Sequence, residues 1–584
     1  MIRYFFKHRA ETPGWDGDLA LMLRSTVPFG RGSQGLLVRQ ASLWILVLGA
    51  AVGTACFSYY YCLGLTVAHY DAKAHLVVAR RIVDSIVPGY AQMGANWLPL
   101  LHLLYLPFVL LESQYRSGFL PSLISVASFA LSGWLVFRIA RRVTASTAAG
   151  VFASALLLAN SNLEYLQSCP LTEPIYMLLQ LLSLHALMQW REANRPGIPW
   201  MSAIWAALGG LCRYEGWYFL GGVVLLLAWD FGSSHLMRQR IMRACAVYIG
   251  VFTLPLMAHF GFIYARLGDS FLHRIVHGNP APYETYKRPF LSLLYHAGEL
   301  CQACAVIPLL LGLAGIAVFF LQRGQFRSRA PILLLWLPSL INISALYWGM
   351  IYRVRYSVLL VPAVAIFASL LLSSEKWTRG AMILASFAAM TLPWLSWYFP
   401  NEWRYHYFYQ GPGTFILPAL ALVLFLLAVA KNWLQWPLLV LCLLGMQVPV
   451  LKGEVRPIID ETLEHGFIEP ERQEVLRYLL RNYDGSRILI DMGKLAPLVY
   501  DSGLPVKEFL YSEGDDALWR KALQTPESEV GWLCAEKGDE VWERLQVDPN
   551  WVDGYSLAVQ TDYFRVYQLK SNVRGNQIPA RRFE

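Results

Sequence analysis

The stretch His69-Tyr70-Asp71-Ala72-Lys73-Ala74-His75, continued by Ala79-Arg80-Arg81, Pro88-Gly89-Tyr90 and Trp97-Leu98-Pro99-Leu100, decides how the rest of the chain is read. It follows the first hydrophobic span, about Ser42 to Gly64. An acidic group this close to a bilayer surface is costly unless it is used. A polar helix, a proline–glycine break and a second amphiphilic helix predict a site at the membrane–water boundary. Asp71 and His75 stand four apart, so a helix puts them on one face.

Composition sets the surroundings of that stretch. Of 584 residues, 56% are hydrophobic, 14% aromatic and 15% charged, with a mean hydropathy of +0.39. Soluble domains carry roughly a quarter charged residues. Apolar runs of about 17–22 residues match the hydrocarbon thickness of a bilayer. The expected fold is a polytopic all-α membrane protein of about 13 transmembrane helices, followed by a C-terminal extracytoplasmic α/β domain. The net charge of +9 is unevenly spread: from Lys452 onward there are 17 Lys/Arg and 24 Asp/Glu, leaving 32 and 16 before it. The basic residues lie in short clusters between apolar spans, as in cytoplasmic loops, which speaks against a nucleic-acid partner. The nine cysteines give no disulfide framework. Cys301 and Cys304, expected at a helix start, read as small packing residues.

Lys/Arg bias places the sides. Arg3, Lys7, Arg9, Arg24, Arg31 and Arg39 precede the first span, so the N-terminus (1–40) is expected in the cytoplasm and Asp71 outside. The first 38 residues are mixed and basic, and the first span is too long for a cleaved signal. Arg138, Arg141 and Arg142 follow a span at Phe119–Val136, which leaves residues 97–111 as a surface-lying or re-entrant helix. Later spans alternate through 41–451, with external loops 65–118 and 266–295 and a last crossing at about Trp433 to Val450. In the tail, 452–584, Glu469–Asn482, Leu518–Leu523 and Glu540–Leu545 have helical spacing. Arg487–Asp491, Pro505–Leu510, Val530–Ala535 and Tyr563–Leu569 read as strands. Asp491-Met492-Gly493 reads as a turn, and the last dozen residues lack an apolar pattern.

On this threading several charged helix ends share the outer face: Asp71 with His75, Glu173 in Pro170-Leu171-Thr172-Glu173-Pro174, Arg213 with Glu215, and Arg353, Arg355 and Tyr356. Each alone has the plain reading of an interfacial anchor or a helix-dipole partner. Together they describe a chemistry. Guanidinium forks grip phosphate, and a carboxylate beside them takes a proton from an attacking hydroxyl. A lipid-phosphate sugar carries its phosphate at this depth.

An acid in the first external loop, a Trp-x-Pro-Leu helix, Thr172-Glu173-Pro174, Arg213-Tyr214-Glu215-Gly216 and a late Arg355-Tyr356 occur in an order that resembles the GT-C integral-membrane glycosyltransferases. The nearest resemblance is to bacterial relatives of dolichyl-phosphate-mannose protein mannosyltransferases and of aminoarabinose transferases, over about residues 40–450. It implies an inverting transfer from a polyprenyl-phosphate sugar to an acceptor on the extracytoplasmic face of the inner or plasma membrane. It also implies Asp71 as the catalytic first-loop acid, acting as general base or as a cation-associated acid. Arg213, Arg353, Arg355 and Tyr356 are the candidates for the donor phosphate, and His75, Glu173 and Glu215 for the acceptor or a second acid. Many members have two adjacent acids in the first loop, whereas Ala72 follows Asp71 here. A divalent cation, magnesium or manganese, is a candidate cofactor, with Glu173 or His75 as the candidate second ligand beside Asp71. The loop from Arg266 to Tyr295 is long enough to gate a cavity, and His273 and His277 are spaced as a metal pair within it. The alternative is a polytopic transporter or lipid flippase, which would place its charges near the midplane and repeat its halves.

Overall fold

The computed structural model describes residues 33–94, 97–192, 197–230, 235–267, 284–350, 353–374, 376–378, 380, 469–513 and 515–570. The basic N-terminal segment, His273 and His277, every span placed after residue 380 and the last dozen residues lie outside these.

The chain is an integral membrane protein. Among the described residues five helical stretches are long and apolar enough to cross a bilayer: Leu37–Cys62, Phe119–Thr144, Arg238–Arg266, Arg323–Trp348 and Val354–Ser373. A bent pair, Pro289–Cys304 and Val306–Leu321, makes a sixth. The elements used below are α1 (Ser33–Cys62), α2 (Tyr70–Arg81), α3 (Pro99–Val109), α4 (Phe119–Thr144), α5 (Thr147–Leu158), α6 (Thr172–Glu192), α7 (Trp200–Gly210), α8 (Glu215–Trp229), α9 (His235–Leu267), α10 (Pro289–Cys304), α11 (Val306–Leu321), α12 (Leu337–Trp348), α13 (Val354–Ser357) and α14 (Val361–Ser369). The α3 helix has only 11 residues, short for a crossing and in keeping with a surface-lying or re-entrant piece.

Small residues let the helices approach, as packing in lipid requires. A Cβ on Gly133 of α4 would meet Leu158 of α5 at 2.7 Å, and one on Gly216 of α8 would meet the Gly210 backbone of α7 at 2.6 Å. Gly216 therefore fixes the tight turn that carries Arg213 and Glu215. At the 113° bend between α10 and α11, Ala305 adopts φ +62. The carbonyls released there are met by buried amides: Asn160 Nδ2 donates to Ala303 O at 2.8 Å and Asn162 Nδ2 to Gln302 O at 2.9 Å. Cys301 and Cys304 thus close a helix, where the sequence reading put them at a start; the apolar run continues across the break and hides it.

The tail holds α15 (Glu469–Asn482), β1 (Ile488–Leu489), α16 (Met492–Ser502), β2 (Phe509–Leu510), α17 (Asp516–Gln524), β3 (Trp532–Glu536), α18 (Glu540–Val547), β4 (Tyr555–Gln560) and β5 (Phe564–Leu569). The sheet order is β2-β1-β3-β5-β4, parallel at β2-β1-β3 and antiparallel beyond. Successive residues of β1 face opposite layers. Ile488 shares a buried cluster with Leu495 and Val499 of α16 and Leu479 of α15, and Leu489 belongs to a second one with Trp519, Val541 and Trp542 of α17 and α18. The layer holding α15 and α16 is continuous with the apolar core of the membrane body, so the two parts share one core on that side.

Three tail elements differ from the sequence reading, the first being Val506–Glu508, a helical turn ahead of β2 where the strand Pro505–Leu510 was expected. Asp491-Met492-Gly493 opens helix α16 rather than a bare turn: Asp491 caps it by accepting from Gly493 N at 2.8 Å. Pro497 inside the helix disguises it. The β4 strand was not anticipated, because its burial does not alternate and its register shifts between Leu557 and Val559.

Candidate active site

The site is built on α2. His69 caps the helix, its Nδ1 accepting from Asp71 N at 3.0 Å, and Asp71 in the first turn and Arg80 and Arg81 in the last suit the helix dipole. Asp71 accepts a hydrogen bond from Arg355 Nη2 of α13, 284 residues away. Arg355 Nη1 lies 3.1 Å from Glu173 Oε1 at the start of α6. That same oxygen accepts from Arg213 Nη1 at 2.8 Å. Arg213 also donates to Thr172 Oγ1 at 2.6 Å and forks onto Glu215 at 2.7–3.1 Å. Tyr356 presents its ring to both guanidiniums, 4.9 Å from Arg213 Cζ and 5.2 Å from Arg355 Cζ.

Five charged groups therefore alternate in sign: Asp71, Arg355, Glu173, Arg213, Glu215. Alternation is what allows burial, since each charge then has a hydrogen-bonded opposite. The Glu173 side chain is 0% exposed and that of Arg355 4%, whereas that of Asp71 is 21% exposed. Asp71 is the end of the chain that solvent reaches. Burial works to raise its pKa, but the Arg355 guanidinium, with His69 and His75 beside it, holds the carboxyl well below the usual carboxylate range.

His75, one turn along α2, is buried and its Nδ1 lies 3.1 Å from His102 Nε2 of α3. Burial pulls the His75 imidazole down to about 4, with Asp71 acting the other way, so it is neutral near pH 7. Trp97 packs on both rings, its centroid 4.4 Å from His75 and 5.9 Å from His102.

Of the residues singled out in sequence, Asp71, Glu173, Arg213, Glu215, Arg355 and Tyr356 converge, His75 stands beside them, and Arg353 lies half-buried at the start of α13. Thr172 and His102 were not named as site residues. His102 had a signal, an imidazole inside the apolar run Leu98–Val109. As for a cation, among the described residues no group of three His, Cys, Asp or Glu gathers to hold one. Asp71 and Glu173 both face guanidiniums, a donor set that does not fit a divalent ion.

No family model matches the chain, and no curated protein matches it. Two solved structures of ArnT from Cupriavidus metallidurans do share its architecture. The one bound to undecaprenyl phosphate aligns with a TM-score of 0.53 at 15% identity, covering 91% of this chain and 99% of that one. The apo structure aligns at 0.54 and 14%, covering 92% and 100%. The network around Asp71 and the α/β tail are thus carried on a fold shared with ArnT along nearly the whole chain.

Proposed function

We propose that the protein transfers a sugar from a polyprenyl-phosphate donor to an acceptor hydroxyl or similar nucleophile on the extracytoplasmic face of the membrane, with Asp71 as general base. The observation that carries this reading is the alternating chain of buried charges that ends at a solvent-reached carboxylate. The fold shared with ArnT, one structure of which holds undecaprenyl phosphate, supports a lipid-phosphate donor. The acceptor oxygen attacks the anomeric carbon and the bond to phosphate oxygen breaks, with inversion. Asp71 receives the acceptor proton, and polyprenyl phosphate leaves as the anion. No step is assigned to a cation.

Arg355 links donor binding to the base. While its guanidinium holds Asp71, the carboxylate is a poor base. A donor phosphate that draws the guanidinium toward itself raises the basicity of Asp71 as the reacting atoms meet. Arg213, tied to Glu173 and Glu215, holds the far side of Glu173, and Arg353 and Tyr356 flank the phosphate.

The test is transfer from a polyprenyl-phosphate sugar to candidate acceptors by purified wild type and Asp71→Asn. The substitution is expected to lower kcat by about 10²–10⁴ while the chain stays folded. Equal transfer by the two proteins would remove Asp71 from the chemistry.

A further inference from the structure

The helix that carries Asp71 has a second occupied face. At about 100° per residue, Lys73 lies about 200° around α2 from Asp71, so the two point to opposite sides. Tyr70 and Arg81 stand about 100° and 80° from Asp71, on the flank that leads round to Lys73, and all three residues meet the C-terminal domain. Lys73 Nζ donates to Asp501 Oδ2 of α16 at 2.7 Å, in a pair only 13% and 18% exposed. Arg81 pairs with Glu513 at 3.8 Å, and Tyr511 OH donates to Gln92 Oε1 at 2.8 Å. Asp84, bonded to Arg80, accepts from Val506 N at 3.2 Å.

The contact made by Tyr70 shows how closely the domain is fitted. Pro497 has no N–H, so the carbonyl four residues earlier in α16, that of Gly493, lacks an intrahelical donor. The Tyr70 hydroxyl donates to that carbonyl. The donor belongs to the residue next to Asp71, 423 positions away in sequence.

We infer that the C-terminal α/β domain clamps α2 from behind and so sets the pose of Asp71 against Arg355, with Lys73, Asp501 and Tyr70 as positioning residues. The inference rests on the proposed transfer only for its kinetic consequence; the clamp itself is a statement about α2. Removing one charge of the Lys73–Asp501 pair takes from the other its hydrogen-bonded partner in a poorly hydrated place, and α2 loosens. Exchanging the charges re-forms the pair with opposite polarity.

Lys73→Glu, Asp501→Lys, the combined K73E/D501K and Tyr70→Phe decide it, each in the full chain in lipid nanodiscs. Two quantities are read: amide hydrogen exchange over residues 70–84, and kcat and donor KM for transfer. Each charge reversal alone is expected to speed exchange by about tenfold and to lower kcat about tenfold at unchanged donor KM. The combined variant is expected to return both to within about threefold of wild type. Unchanged exchange in the single variants, or no recovery in a folded combined variant, overturns the clamp. Exchange that rises while kcat stays at the wild-type value overturns the positioning role. Should the charge reversals fail to fold, Tyr70→Phe decides: exchange no faster than wild type rejects the inference. A wild-type chain that transfers nothing counts against the proposed function, and exchange still judges the clamp.

Discussion

The membrane body and the α/β domain use their buried charges differently. In the body, Asp71, Arg355, Glu173, Arg213 and Glu215 are drawn from α2, α13, α6, the turn before α8 and the start of α8, and most of their bonds cross between helices. In the α/β domain the carboxylates Asp491, Asp515 and Asp539 serve as helix caps, accepting from amides two or three residues onward. A cap satisfies backbone groups that any helix start exposes. A network spanning distant helices answers no local need, and its desolvation cost returns little in stability. That difference is why the proposed chemistry rests on the body's network and not on these three caps.

The sharpest way to break this comparison is Glu173→Gln, which leaves two guanidiniums sharing one carboxylate fewer in a place water does not reach. Removing one partner of a buried pair costs about 3–5 kcal/mol. We expect a chain that melts well below wild type and transfers little. Measured thermal unfolding within a degree of wild type would show that the network is hydrated and that its alternation has no bearing on burial. The domain's counterpart is Asp539→Ala. Asp539 accepts from Trp542 N at 2.6 Å and Glu536 N at 2.7 Å, so its loss should cost about 1–2 kcal/mol. Hydrogen exchange should quicken over 532–547 while residues 70–84 stay protected. A loss that spread into α2 would mean that the caps, too, serve the site.

The same contrast explains what sequence could and could not reveal. Local features were legible: the helix bearing Asp71 and His75, the apolar stripe of α15, the strands at β1 and β3, and the turn fixed by Gly216. Glu173, Arg213, Glu215 and Arg355 each stood out as a charge at a helix end. Their pairings did not, because a separation of 40 or 284 residues carries no information about distance. Lys73 was passed over for a related reason. Between Asp71 and His75 it reads as a solvated charge, and its partner lies 428 residues onward. The α16 helix was hidden by Pro497, the residue that hands the Gly493 carbonyl to Tyr70. The feature that obscured the element is therefore the one that joins it to the site.

A smaller effect sharpens the comparison through pH. Glu536, at the end of β3, has its carboxyl pushed up to about 7 by burial, with Lys494 and Arg472 acting the other way and Asp491 reinforcing the rise. The folded domain then keeps a proton that the unfolded chain releases near 4.5. The stability from this group is complete below that value, falls as pH rises toward 7, and levels off above. Glu536→Gln removes the slope. The variant should match wild type near pH 4.5 and exceed it by about 1–2 kcal/mol at pH 8, a part of the full linkage because the side chain is only partly buried. Protection of residues 532–536 in variant and wild type, compared at the same pH, cancels the intrinsic pH dependence of exchange. Parallel curves would mean that Glu536 is ionised in the folded domain. One charge on a strand end would then be tolerated without a partner from the membrane body, in contrast to Glu173.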